Sequence, residues 1–433
     1  MRSITLLEAF LPMRTDTRSV AVIGAGIVGM SSALYLQKAG FDITVIDWRA
    51  PGTATSFGNA GAIVTSAVEP TSTPSTLQNI PRYLLNSDSA VRMRWRYLPQ
   101  LAPWLLRFIL AGQPQRIRQS ASGLHALLRE AYEAHRELAS RSHTTGLLRP
   151  TGWLKLFRTE RGFADTLLQR ELMKVHGIQY DVLGPDEIHQ LEPSLARVFA
   201  RGLFHGDSAS ISSPHRLIEG YARAFLQSGG VFLHERVLRI EPLETGRVRL
   251  RCELGLRDFD QVVVAAGAWS RMFATQLGDK VVLDTERGYH LSVDPGDAGG
   301  IQRPICFPEE SFVIAPMLDG IRLTSGEELA GLEAPPDFSR IYKLLPKARE
   351  FLPGLSDRVS REWMGRRPST PDSLPVIGRS PNAPRVIYGF GHHHLGMTLG
   401  PITGRLIAQI ISGVTAEVDL SPYRIERFKP FRF

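Results

Sequence analysis

The sequence predicts an α/β protein in which a discontinuous Rossmann-like domain is joined to a substrate domain with a largely antiparallel sheet and helices. Three observations carry this. A strand, glycine turn, helix and second strand occupy residues 19–47; a buried strand ending in glycine lies at 261–267; and a strand, glycine-rich turn and helix run from 385 to about 412. With 433 residues the chain exceeds one ordinary core, so two domains are expected. The nucleotide-binding domain takes 19–75, 200–275 and 365–433, the substrate domain 76–199 and 276–364, and residues 1–18 form an extension.

In chain order, 19–23 (SVAVI) is mostly β-branched and fits a buried parallel strand; Gly24, Gly26 and Gly29 follow in the spacing G-x-G-x-x-G. Residues 27–39 read as helix and 42–47 (DITVID) as a strand ending in Asp47, 18 residues past Gly29. Gly24 suits the sharp turn, Gly26 the close approach of a pyrophosphate, and Gly29 the contact of helix with strand. A phosphate would meet free N–H groups and the positive end of the helix that starts near Ile27. Asp47 suits a ribose diol and opposes a 2′-phosphate. At this stage FAD and NAD both stay open.

Residues 77–145 read as mainly helical. Within them 92–110 is basic in front and apolar behind, interrupted by Pro99 and Pro103, which predicts two short helices and, as an alternative role, docking on an anionic membrane surface. Strand patterns follow at 147–157, 281–293, 312–315 and 321–324; residues 213–227 read as a helix closed by Gly229 and Gly230, with strands after it at Val231 and Val248. The Pro- and Gly-rich stretch 364–378 precedes the strand at 385–388. Gly396, Gly400 and Gly404 then line one face of the last helix, either for close helix packing or as a bare start on which a flat ring lies.

Composition narrows the function. Lys and Arg number 51 against 43 Asp and Glu, a net charge of +8, but the basic residues are dispersed among acids, which argues against nucleic acid and for an anionic small substrate or membrane surface. Only Cys252 and Cys306 occur, too few for a disulfide framework or a thiolate zinc cluster, and both are expected in the core. The adjacent histidines 392–394 point in different directions on a turning segment, so no metal is expected there. No apolar run reaches the roughly 20 residues that span a bilayer. Glu8 and Pro12 interrupt the N-terminal apolar stretch, which predicts no export and a cytoplasmic protein, peripheral at most to the inner membrane face; Met1 and Met13 are alternative starts.

The segments VAVIGAGIVG with Asp47, TSFGNAGAI (55–63), VVVAAGAWS (262–270), RGYHLSV (287–293), GRRPSTPDSLPVIG and GFGHHHLGMTLGPITG together resemble the D-amino-acid oxidase superfamily of flavoproteins, most closely its D-amino-acid dehydrogenase branch. The resemblance implies non-covalent FAD, held at Gly24, Gly26, Ile27, Val28, Gly29, Asp47, Trp48, Arg49, Ser56, Asn59, Ala60, Gly61, Val237, Ala266, Gly267, Gly391, Leu395, Gly396, Met397 and Thr398. Covalent attachment is disfavoured because 360–400 contains no cysteine. It also implies that Arg367 of the G-x-R-P motif clamps a substrate carboxylate through two parallel N–H bonds, with Arg366 the surface residue of the pair. Tyr289 falls near the substrate or in the core with a satisfied hydroxyl. His393 stands where relatives carry a small residue, and adds a titratable ring near the flavin.

The implied reaction is oxidative deamination of a small amino acid, a D-amino acid or a cyclic imino acid such as D-proline or hydroxyproline, with hydride passing from Cα to flavin N5 and electrons to a quinone or respiratory acceptor. The alternatives are an oxygen-using glycine- or sarcosine-type oxidase and a flavin-binding subunit of a heteromeric dehydrogenase. Enantiomer, acceptor and oligomeric state stay open.

Overall fold

The computed structural model describes residues 18–85, 91–298 and 300–428; the N-terminal extension and both alternative starts lie outside the described residues. The opening unit forms as its sequence dictates: strand Ser19–Ile23, helix Ile27–Lys38 and strand Asp42–Asp47. They belong to a six-stranded sheet in the order Val231–His234, Asp42–Asp47, Ser19–Ile23, Gln261–Val264, Val386–Phe390, Val376–Arg379. The first five are parallel and the last antiparallel. Val20, Ala21 and Val22 are fully buried, as expected for a strand covered on both faces.

A second, nine-stranded sheet is mostly antiparallel. At one end of it Asp284–Val293 pairs with Gly320–Leu329 on one side and with the edge strand Val359–Ser369 on the other. It continues through Phe312–Met317, Ile305–Phe307, Trp153–Phe157, Arg201–His205 and Asp181–Leu183, and Val91–Met93 pairs alongside Gly320–Leu329. Two strands depart from the expected domain boundaries. Arg201–His205 joins the substrate sheet through Trp153–Phe157, and Val359–Ser369 runs through the boundary at 364/365. The Pro- and Gly-rich stretch therefore begins as a long strand. Pro368 sits on the free edge of the sheet, where its missing N–H costs no ladder bond.

The 92–110 region also departs from expectation. It forms strand Val91–Met93, a 3₁₀ turn at Trp95–Tyr97 and a single helix, Leu98–Ala111. Pro99 occupies the first turn, whose N–H groups have no helical partner in any case, and Pro103 lies on the exposed side of the helix. Trp104 Nε1 donates to the Ser369 carbonyl at 2.9 Å, fastening this helix to the end of the edge strand. Among the described residues no helix is long and apolar enough to cross a membrane.

The last helix, Gly396–Ser412, packs along Ile27–Lys38. A Cβ on Gly400 would lie 2.7 Å from Ile27, and one on Gly404 2.6 Å from the backbone of Ser31 and Ser32. These two glycines serve helix packing. At Gly396 the nearest atom to such a Cβ is His392 Cβ at 3.6 Å, so only this end of the stripe is open.

Candidate active site

Between the two sheets lies one cavity of about 1000 Å³. Its nucleotide half is built around the backbone of the opening strand–turn–helix unit. Gly24 adopts φ +107° and its N–H donates to the Ile46 carbonyl at 2.9 Å, joining the turn to the second strand; a Cβ there would sit 2.4 Å from the Ala265 carbonyl oxygen. A Cβ on Gly29 would overlap the Gly24 carbonyl at 1.8 Å, so this glycine lets the helix approach the turn and does not face the cavity.

The helix Ile27–Lys38 has Gly26 at its N-cap, with no capping side chain of its own and no acid in the first turn. Ser56, brought in from the next loop, accepts from the Ile27 N–H at 3.1 Å. Asp47 Oδ2 accepts from the Ala25 N–H (2.8 Å) and Oδ1 from the Arg49 N–H (2.9 Å), leaving lone pairs on both oxygens; burial raises its pKa above the usual aspartate value despite these bonds. Arg49 lies 4.1 Å over the Trp48 ring, which meets Trp269 edge-on. Val237, Ala266 and Gly267 close this end, and Leu395, Gly396, Met397 and Thr398 close the other. Thr398 Oγ1 bonds to the Ala62 carbonyl and the Val64 N–H, both at 3.3 Å, holding the last helix against the 55–64 loop.

Of the expected cofactor positions, Gly29, Gly61 and Gly391 stand behind the wall. Gly61 (φ +68°) presses on the Ile211 carbonyl and Gly391 (φ +85°) on Thr370, so their work is backbone shape. The remaining positions line the cavity.

The substrate half is lined by side chains from distant strands. Register places Glu286 opposite Arg367, Gly288 opposite Gly365, and His290 opposite Trp363. The Arg367 guanidinium lies flat over Gly288, where any Cβ would come within 2.3–2.8 Å of it, and only 23% of the side chain is exposed. Its Nη1 is 3.9 Å from Glu327 Oε1. Arg366 is half-buried, lines the same cavity and donates to the Leu332 carbonyl at 2.8 Å; it is not the surface residue the sequence suggested.

Tyr289 lines the cavity with its ring, but its hydroxyl turns away. It donates to Glu328 at 2.6 Å and accepts from the Asp337 N–H at 3.3 Å. A register shift between Arg287 and Tyr289 accounts for this orientation. Cys306, expected in the core, also reaches the cavity wall.

His393 is the residue whose surroundings differ most from a plain reading of its motif. It is buried, adopts φ +55°, and holds Nε2 2.6 Å from Glu286 Oε2. Burial opposes a charged imidazole there, but Glu286, with Glu327 beyond it, more than offsets this and raises its pKa. Glu286, pushed up by burial, is held below the ordinary glutamate value by His393 and Arg367. His394, against His393, is driven well below the ordinary histidine value by burial and by that neighbour. His392 is buried and bonded to Thr403 at 2.8 Å. Among the described residues no group of three or more potential ligands is arranged for a metal ion.

Sequence reasoning missed several residues here. Arg322 Nη1 donates to the carbonyls of Asn59 (2.7 Å) and Phe57 (3.1 Å), and His290 Nδ1 lies 3.1 Å from that of Gly58; both shape the 55–61 loop from the opposite sheet. Trp363 stacks on His290 and lies against Gly58 and Gly365. Glu286, Glu327 and Lys155 carry no local motif.

Comparison with known proteins decides the family. The FAD dependent oxidoreductase family matches residues 19–410. The chain belongs to that family. Its cofactor is therefore non-covalent FAD, and the resemblance read from the sequence motifs is borne out. The chain is 33% identical over 423 residues to a D-amino-acid oxidase of Bradyrhizobium diazoefficiens, covering 95% of this chain and 99% of the relative. It is 30% identical, with the same coverage, to a D-amino acid dehydrogenase of Paramagnetospirillum magneticum. Among solved structures, glycine oxidase from Geobacillus kaustophilus matches with a TM-score of 0.72 at 21% identity, covering 95% of this chain and 99% of that one. L-proline dehydrogenase from P. horikoshii matches with a TM-score of 0.74 at 17% identity, covering 95% and 98%. At those identities the likeness is one of fold.

The residues present fit FAD. A helix N-terminus without an acid, a turn where a Cβ has no room, a carboxylate at the end of the second strand, and the open Gly396 end of the last helix all face one space.

Proposed function

We propose that this flavoprotein dehydrogenates a small amino acid, either a D-amino acid or a cyclic imino acid such as D-proline or D-hydroxyproline, at its Cα–N bond. One observation carries the reading: a guanidinium seated on a glycine, Arg367 on Gly288, in the same cavity as the dinucleotide turn. FAD, when bound, would supply the two-electron oxidation. The protein orients the substrate: Arg367 offers two parallel N–H bonds to the α-carboxylate, which fixes the direction of Cα. The N-terminal end of Gly396–Ser412, free of acids in its first turn, favours negative charge on a ring above it by about 1 kcal/mol. Similarity to the oxidase and the dehydrogenase supports the D-configuration.

For the electron acceptor the reading favours a quinone at a membrane surface. Trp95 (60% exposed), in the turn just before the helix that fastens the Arg367 strand, and Leu106 (60%) and Ile109 (43%), on that helix, are the exposed apolar side chains that support this. Direct use of oxygen is the second reading, supported by similarity to the Bradyrhizobium oxidase. The test is anaerobic bleaching of the bound flavin by a panel of D- and L-amino acids including hydroxyproline isomers, followed by peroxide yield against dye reduction. Fast bleaching by D-isomers supports the reading; bleaching confined to L-isomers, or none, contradicts it. Peroxide at one equivalent per turnover selects oxygen.

A further inference from the structure

Within the substrate half, charge can be paired group by group. Glu286 is taken by His393 at 2.6 Å. Among the described residues Glu327 forms an ion pair with Arg367 alone, at 3.9 Å, and no hydrogen bond from them reaches its carboxylate, although it lines the cavity with 36% of its side chain exposed. The groups facing it are Glu286 from its neighbouring strand, Arg367 from the edge strand and His393 from the loop before the last helix.

A substrate carboxylate on Arg367 takes away the one ion pair that Glu327 makes among the described residues, leaving it only the longer-range charge of His393, which Glu286 already holds. A ligand bearing only a carboxylate would then leave one buried negative charge uncompensated, which is costly in such a site. A zwitterion restores the balance, because its ammonium replaces the guanidinium beside Glu327 while its carboxylate replaces Glu327 beside the guanidinium.

Resting on the function proposed above, we infer that Glu327 is the group that recognises the substrate ammonium and takes its proton, delivering the neutral amine that oxidation requires. In this step an N–H bond of the ammonium breaks and an O–H bond forms on the Glu327 carboxylate; charge is conserved and no electron moves. The proton returns to water when the product leaves and Arg367 again faces Glu327. Burial, aided by repulsion from Glu286, raises the Glu327 pKa above the usual carboxylate value, in the direction a proton acceptor needs.

The test has two readouts. The first is equilibrium binding to the FAD-loaded protein, followed by flavin absorbance, of 2-aminoisobutyrate and its isostere pivalate. Neither has an α-hydrogen, so neither is oxidised. Wild type is expected to prefer the zwitterion by at least about tenfold, Glu327→Gln to lose or reverse that preference, and Glu327→Asp to recover part of it. The second is the pH profile of anaerobic flavin reduction by the fastest-bleaching amino acid of the panel. In Glu327→Gln the rate at neutral pH falls and climbs about tenfold per pH unit toward the alkaline pKa of the free amine, because the proton must then leave in water. A wild type that does not discriminate between the two probes overturns the inference. So does a Glu327→Gln protein that holds FAD with an unchanged preference, or a rate that drops equally at every pH. If no amino acid bleaches the flavin, the proposed function fails, and the binding ratio still judges Glu327.

Discussion

The nucleotide half of the cavity is centred on backbone and small side chains of one short stretch of chain, whereas the substrate half is lined by charged side chains that strand pairing brings from distant positions. Gly24, Gly26, Asp47 and Ser56 lie within one strand–turn–helix–strand–loop unit; Glu286, Glu327, Arg367 and His393 come from three strands and a loop. To the phosphate and ribose of FAD the first half offers backbone N–H groups and one carboxylate. In the proposed function the second neutralises and orients a small charged molecule, and its parts are set by register.

Several measurements press on this difference. The largest effect belongs to the nucleotide half: Gly24→Ala has no room for its Cβ and sits at φ +107°, so protein purified with excess FAD is expected to show no flavin absorbance. Next, Arg367→Lys retains FAD but loses the parallel pair of N–H bonds; half-saturation by the amino acid rises about 100-fold, on the order of 3 kcal/mol. Gly288→Ala tests the seat of that guanidinium, and about a tenfold rise with flavin content unchanged is expected from a displaced Arg367.

A fourth prediction concerns pH. Burial lowers the pKa of His205, His290 and His392 to about 3 and of His135 to about 4, so each stays neutral while folded and takes a proton on unfolding below about pH 6.5. The unfolded chain then binds more protons, and the melting temperature should fall steadily as pH drops from 6.5 toward 4. An acid-independent melting temperature would contradict the burial of these rings. The smallest effect is Ser56→Ala, which removes the acceptor for the Ile27 N–H and should weaken FAD retention by a few fold, about 1 kcal/mol, measured by flavin titration of the apoprotein.

The same comparison explains what was legible in the sequence. The dinucleotide unit is local: its spacing alone, without any long-range information, pointed to Gly24, Gly26 and Asp47, which line the cavity, and to Gly29, which packs the helix on the turn. Arg367 came through resemblance, because nothing near GRRP reveals that its strand lies against Gly288. Glu327 and Glu286 were invisible: one is two residues from the end of its strand, the other two residues into its own, and only the bulged pairing of three strands brings them together. The same bulge turned Tyr289 Oη toward Glu328, which strand alternation alone does not foresee. The glycine stripe of the last helix was half readable, since period four shows a shared face but not that Gly400 and Gly404 meet Ile27–Lys38 while Gly396 stays open.

The central claim is that FAD and a carboxylate clamp share one cavity, and the flavin spectrum tests it most directly. Benzoate, an unreactive carboxylate, is expected to perturb the visible bands of the wild-type flavoprotein in a saturable titration and to leave those of Arg367→Leu, at equal FAD content, unchanged at the same concentrations. Equal perturbation of both proteins, or none in the wild type, would contradict it.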